Sequence, residues 1–184
     1  CCMAFRKTIY IMFIYKDYID KTICKNLIKL HDKCNKKIKI DDKHRTYTQT
    51  LWHPESIEMT GYTIELSKIL NKYKLKYVYI DKNQNPWGTE GTIKIQKYEP
   101  GENYFDWHAE NTGYDQNEKR ILVFTTYLND VYNGGETEFY YYKEKVKPKE
   151  GLTVLFPPFW THAHRGAMTK EIKYIITGWY RYVH

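Results

Sequence analysis

TIKIQKYEPGENYFDWHAE, residues 92–110, sets two short β-type runs on either side of Glu99, Pro100 and Gly101, a turn-forming trio. Runs of the same kind follow it: RILVFTTYLND from Arg120, ETEFYYY from Glu136, LTVLF from Leu152 and KYIITGWYRY from Lys173. Turn signals such as the Gly134-Gly135 pair lie between them. Strands recurring at this spacing argue for a sandwich or barrel over residues 92–184, and a double-stranded β-helix, the jelly-roll variant, fits.

Residues 1–91 supply the supporting elements. Ile9–Tyr15, IYIMFIY, is too short to cross a bilayer and reads as a first strand rather than a signal peptide. Over Tyr15–Asp32, Ile19, Ile23, Leu27 and Leu30 fall at helical spacing behind Asp17 and Asp20, either of which can cap a helix. Lys33–Lys43 is a lysine-rich run expected to be a solvated connector. Arg45–Pro54 alternates as a strand does, and Tyr62–Tyr73 repeats Ile64, Leu66, Ile69, Leu70 and Tyr73 as a second helix. KLKYVYI, ending at Ile80, reads as a strand, and Asp81–Gly91 as a turn-rich rim over a pocket. The expected architecture is mainly β, with N-terminal helices packed on the major sheet of one domain spanning residues 1–184.

Composition sets the outer bounds. A chain of 184 residues with 42% hydrophobic and 28% charged side chains is globular rather than disordered. The net charge of +7 suits either an acidic partner or a lysine-rich solvating surface. Cys1, Cys2, Cys24 and Cys34 form neither a C-x-x-C pair nor a disulfide framework, so reduced thiols and a cytoplasmic setting are expected.

Within the opening stretch, His108 and Glu110 stand two residues apart. If the backbone there is extended, both project to one face, which is two thirds of a 2-His-1-carboxylate facial triad for Fe(II). Asp106 satisfies the same spacing from the other side. FWTHAHRG offers His162 and His164 as the distant imidazole, again two residues apart. His53, alone before Pro54, has no such company. Lys173 opens an otherwise apolar strand, where a buried lysine is costly unless an anion meets it.

These pieces resemble the 2-oxoglutarate and Fe(II)-dependent dioxygenases, in particular their prolyl 4-hydroxylase-like branch. The matching segments are Y-x-P-G…WHAE, RILVFTTYLNDV, GGETEF, VKPKEGLTVLFP, HRG and KYIITGW, in the family's order from Tyr98 to Trp179. The family's order selects Glu110 over Asp106 and His164 over His162, giving His108, Glu110 and His164 as metal ligands and catalytic centre. Glu stands where an Asp is commoner. The resemblance further implies that Lys173 binds the far carboxylate of 2-oxoglutarate, that the Tyr98 hydroxyl contacts this co-substrate and that Trp179 walls its pocket. The Gly134-Gly135 pair makes the turn before Glu136–Phe139 and reads as structural, with no chemistry of its own.

The activity so implied is hydroxylation coupled to oxidative decarboxylation of 2-oxoglutarate to succinate and carbon dioxide. Its cofactors are Fe(II), 2-oxoglutarate and O2, with ascorbate as a supporting reductant. A prolyl or other peptide residue is the expected target; a small molecule or a nucleic-acid base is the alternative. Nucleic acid is disfavoured because the base-demethylating relatives carry arginine where this chain has Lys173. No membrane partner is indicated, and the sequence says nothing of oligomeric state. A non-catalytic jelly-roll binding module is the remaining reading, and the full set of His108, Glu110, His164 and Lys173 argues against it. Substrate choice would reside in loops at the mouth, Asp81–Gly91 and Asn111–Lys119.

Overall fold

A computed structural model describes residues 13–82, 84–114 and 117–183. In chain order the elements are β1 (Tyr15–Tyr18), α1 (Lys21–Lys33), β2 (Ile38–Asp41), β3 (Thr46–Trp52), α2 (Thr60–Lys76), β4 (Trp87–Thr89), β5 (Ile93–Tyr98), β6 (Tyr104–His108), β7 (Arg120–Tyr127), β8 (Thr137–Phe139), β9 (Glu144–Val146), β10 (Leu152–Phe156), β11 (His164–Gly166) and β12 (Lys173–Tyr182). Two antiparallel sheets result among these residues. The major one runs β1-β10-β7-β12-β5-β3-β2, with β4 added on β12; the minor one runs β6-β11-β8-β9. This is the jelly roll expected from the strand spacing.

Side-chain parity divides the major sheet into two faces. Ile93, Ile95, Leu122, Phe124, Ile176 and Tyr180 point outward and are covered by Leu27 of α1 and by Tyr62, Leu66, Ile69 and Tyr73 of α2. The alternate residues point inward. Tyr98, Val123, Tyr127, Ile175 and Trp179 meet Phe139 and Val146 of the minor sheet. The same parity turns Lys94, Gln96, Lys173 and Thr177 inward, where they line a cavity instead of a dry core. At Gly178 the sheet admits no larger residue, since a Cβ would lie 2.2 Å from Cζ of Phe124.

Several local expectations are corrected. The described part of the expected first strand begins at Phe13, and β1 starts only at Tyr15; residues 9–12 lie outside the described residues. The first helix does not start at Tyr15, because Tyr15–Tyr18 pairs with β10. Asp20 rather than Asp17 caps it, accepting from the Thr22 amide at 2.6 Å. The lysine-rich connector contains β2, recruited by pairing with β3. KLKYVYI is not a strand: Leu75 and Lys76 end α2, and Val78–Ile80 is one 3-10 turn. Leu75, Val78 and Tyr79 are exposed there, and β-propensity without a partner strand decides nothing. The turn-rich segment before residue 92 includes β4, laid against the end of β12.

Candidate metal centre and its cavity

The near and distant histidines meet through strand pairing. His164 in β11 sits directly opposite His108 in β6, and the two ring centroids are 4.4 Å apart. Both imidazoles are fixed in the same tautomer. Nδ1 of His108 donates to the carbonyl of Asp106 at 2.9 Å, and Nδ1 of His164 donates to the carbonyl of His162 at 3.0 Å. A carbonyl only accepts, so each Nδ1 carries a proton, and each Nε2 is the ring nitrogen turned to the cavity. Tyr104 stacks on the His108 ring at 4.0 Å between centroids and limits its rotation.

Glu110 completes the cluster from outside the strand. β6 ends at His108, so the pleat does not carry the carboxylate; instead the Glu110 amide donates to the carbonyl of Pro158 at 2.9 Å. Oε1 lies 3.4 Å from Nε2 of His108 and 3.7 Å from Nε2 of His164. Oε2 turns the other way, accepting from the Trp179 indole at 3.1 Å and from Arg120 at 3.4 Å. Burial pushes the Glu110 carboxyl up, but the two histidines outweigh it and hold it well below the usual carboxylate range. Burial lowers the imidazolium of His164, with Glu110 opposing. One carboxylate oxygen and two imidazole nitrogens within 4.8 Å of one another are the donor set a divalent iron takes, so these residues fit the metal.

The competing candidates lie elsewhere. Asp106 forms an ion pair with His44 away from the cluster. His162 belongs to a 3-10 turn, Trp160–His162, and faces Tyr142 and Thr161. His53 accepts from the Glu55 amide and has no part in the cavity.

The cluster opens into a cavity of about 430 Å³ between the sheets. Lys173 is buried in its wall at 3% exposure, with Nζ 3.2 Å from the carbonyl of Gly135 and 4.3 Å from the centre of the Tyr98 ring. No carboxylate among the described residues forms an ion pair with it. Burial pulls its ammonium down to about 8, and Glu136 opposes that in part. Tyr98 and Trp179 both line the cavity. All six residues that the resemblance assigned to the site therefore border one space.

Other wall residues escaped the sequence reading. Arg120, 8% exposed, joins Glu90 at 2.9 and 3.0 Å to Glu110 and covers the Trp179 ring at 3.7 Å. Its signal was the one that marked Lys173, a charge opening an apolar strand. The Gly135 carbonyl also contributes, so that turn is more than structural. Of the two expected mouth loops, Asn111–Lys119 lends Thr112 and Asn117 to the lining, and Asp81–Gly91 reaches the site through Glu90.

Residues 93–181 match the family model of the 2OG-Fe(II) oxygenase superfamily. That stretch, just under half of the chain, belongs to the 2OG-Fe(II) oxygenase superfamily. No curated protein sequence matches the chain. Among solved structures, the viral collagen prolyl hydroxylase of Paramecium bursaria Chlorella virus-1, in its 2OG complex, is similar at a TM-score of 0.73 and 23% identity, covering 93% of this chain and 97% of that one. A Pseudomonas putida prolyl-4-hydroxylase is similar at a TM-score of 0.71 and 16% identity, covering 93% of each chain. A Trichoplax adhaerens prolyl hydroxylase, solved with a hypoxia inducible factor oxygen degradation domain peptide, gives 0.69 and 15%, covering 92% and 82%. At these identities the likeness is one of fold. The oxygenase thus has the prolyl 4-hydroxylase-like jelly roll, and its family works with Fe(II), 2-oxoglutarate and O2. Among the described residues no helix is long and apolar enough to cross a membrane.

Proposed function

We propose that this oxygenase hydroxylates a prolyl or other peptide residue, with His108, Glu110 and His164 as its iron ligands and Lys173, Tyr98 and Trp179 around 2-oxoglutarate. The observation that carries the reading is the pairing of a metal-competent His-Glu-His cluster with a buried, uncompensated lysine in one cavity. The fold shared with three prolyl hydroxylases, one of them solved with a peptide, supports the choice of target.

Iron with 2-oxoglutarate and O2 supplies the oxidising power for inserting one oxygen atom into a substrate C–H bond, with succinate and carbon dioxide released. The chain's own residues bind and orient. The two Nε2 atoms and Glu110 Oε1 would hold the cation, and the cavity beside them has room for the reactants. Lys173 neutralises the far carboxylate of 2-oxoglutarate in a buried setting, where a charge-assisted hydrogen bond is strong. Tyr98, beneath the same ammonium, presents its hydroxyl as a neutral donor, because burial raises its pKa well above the ordinary value. Trp179 and Tyr104 bound the space in which the target carbon must sit.

The test is anaerobic titration with Fe(II) and 2-oxoglutarate, followed by aerobic turnover on a proline-containing peptide library. The chelate's weak visible band should form and should vanish in His164→Ala, and succinate should rise above the peptide-free background. Absence of peptide-dependent succinate across the library overturns the choice of substrate class; survival of the band in His164→Ala overturns the ligand set.

A further inference from the structure

The charges facing the cavity do not balance. Five cationic side chains line it, Arg45, Lys94, Arg120, Arg165 and Lys173, against Glu110 as the one lining carboxylate among the described residues. Most of these cations are committed. Arg120 is held by Glu90 and Glu110, Arg165 by Glu138 at 2.8 Å, and Arg45 by Asp42 at 3.2 Å. Lys173 and Glu110 are assigned to 2-oxoglutarate and iron by the proposed function, on which this inference rests. Lys94 remains. Its ammonium forms no ion pair with a described residue and stands 4.7 Å from the centre of the Trp179 ring.

Lys94 stands apart from the carboxylate site at Lys173. On β12, Thr177 pairs with Lys94 and Lys173 pairs with Tyr98, so the two lysines stand four β5 residues apart on the same inward face. At ~3.3 Å per strand residue that is roughly 13 Å of backbone. Lys94 instead flanks Trp179, whose indole touches Glu110, so it borders the space left for the second substrate.

We propose that the peptide substrate carries a carboxylate beside the residue to be hydroxylated, and that Lys94, seated against Trp179, is the specificity residue that receives it. Cation–π contact with Trp179 holds the ammonium in the wall, and its N–H donors make no hydrogen bond to a described residue. A carboxylate satisfies them and replaces the water that the cavity excludes on filling. An acidic side chain next to the target and the chain-terminal carboxylate of a target at the C-terminus offer the same chemistry.

The experiment compares matched peptides on the iron- and 2-oxoglutarate-loaded protein. One pair carries Glu or Gln beside proline, and a second ends in proline as free acid or amide. The carboxylate form should show a kcat/KM higher by about tenfold or more, the worth of one charge-assisted hydrogen bond. Lys94→Met should bring that ratio to near one, and Lys94→Arg should retain it. A ratio within one variant is independent of the fraction folded. The Glu/Gln pair and the acid/amide pair tell the two carboxylate sources apart.

Anaerobic calorimetric titration with the same peptides separates this inference from the proposed function. Carboxylate-selective binding that Lys94→Met abolishes, without hydroxylation, supports the acidic subsite and removes the peptide-hydroxylase reading. Turnover with equal kcat/KM for Glu and Gln forms, or a ratio unchanged in Lys94→Met, overturns the subsite and leaves that reading standing. Binding of no peptide in any form overturns both.

Discussion

The indole Nε1 of Trp179 donates to Oε2 of Glu110 at 3.1 Å, so the residue expected only to wall the pocket also aims the carboxylate. With Oε2 occupied by Trp179 and Arg120, only Oε1 is directed at the two imidazoles. Replacing Trp179 with Phe keeps the wall and removes the donor. Outer partners of this kind are worth about 10–100-fold in metal affinity. Anaerobic iron titration of Trp179→Phe should show a loss in that range with 2-oxoglutarate saturating.

Arg120 bridges two carboxylates in a largely buried place, with Glu90 and Glu110 side chains 14% and 15% exposed. Arg120→Met leaves both acids without their cation, and breaking a buried pair from one side costs about 3–5 kcal/mol. Urea denaturation should register that loss. The double variant Arg120→Met with Glu90→Leu should recover part of it, because one of the orphaned charges is gone.

On the proposed assignment, Lys173 should act in opposite senses on stability and on 2-oxoglutarate binding. Its ammonium titrates at about 8 in the fold against an ordinary 10.5. Between those values the unfolded chain binds more protons than the folded one. Stability of the ligand-free protein therefore rises with pH across that window, by on the order of 3 kcal/mol from this group. The 2-oxoglutarate carboxylate needs the charged form, so affinity for it should fall by about tenfold per pH unit above pH 8. Calorimetric titration from pH 6.5 to 9.5 measures the second trend and thermal unfolding the first. Lys173→Met should raise the melting temperature of the ligand-free protein and abolish 2-oxoglutarate binding; loss of both together contradicts the assignment.

Gly135 adopts a φ of +73°, and a Cβ there would stand 3.2 Å from Cδ of Lys173. Gly135→Ala therefore costs about 1–2 kcal/mol of backbone strain and pushes the lysine aside. A rise in KM for 2-oxoglutarate exceeding the change in kcat is the expected signature. An alanine variant with unchanged KM means that the turn supports the fold without positioning Lys173.

What the sequence by itself determined is what depends on local periodicity and on residue chemistry. Strand spacing marked the jelly-roll half, helical spacing marked the faces of α1 and α2, and donor types at fixed intervals marked Asp106, His108, Glu110, His162 and His164 as candidate ligands, among which only the family resemblance chose; Lys173 stood out as a charge opening an apolar strand. Local order could not say where α1 begins, because Tyr15–Tyr18 becomes a strand only by finding β10. Nor could it deny KLKYVYI a strand, since that required knowing that no neighbour is there to pair with it. The tertiary structure alone decided that His164 faces His108, that Pro158 fixes Glu110 beyond the end of β6, and that Arg120, Glu90 and Lys94 reach the same cavity. Those contacts join segments tens of residues apart, and the side-chain alternation that fixes each strand's faces carries no information about which strand lies alongside it.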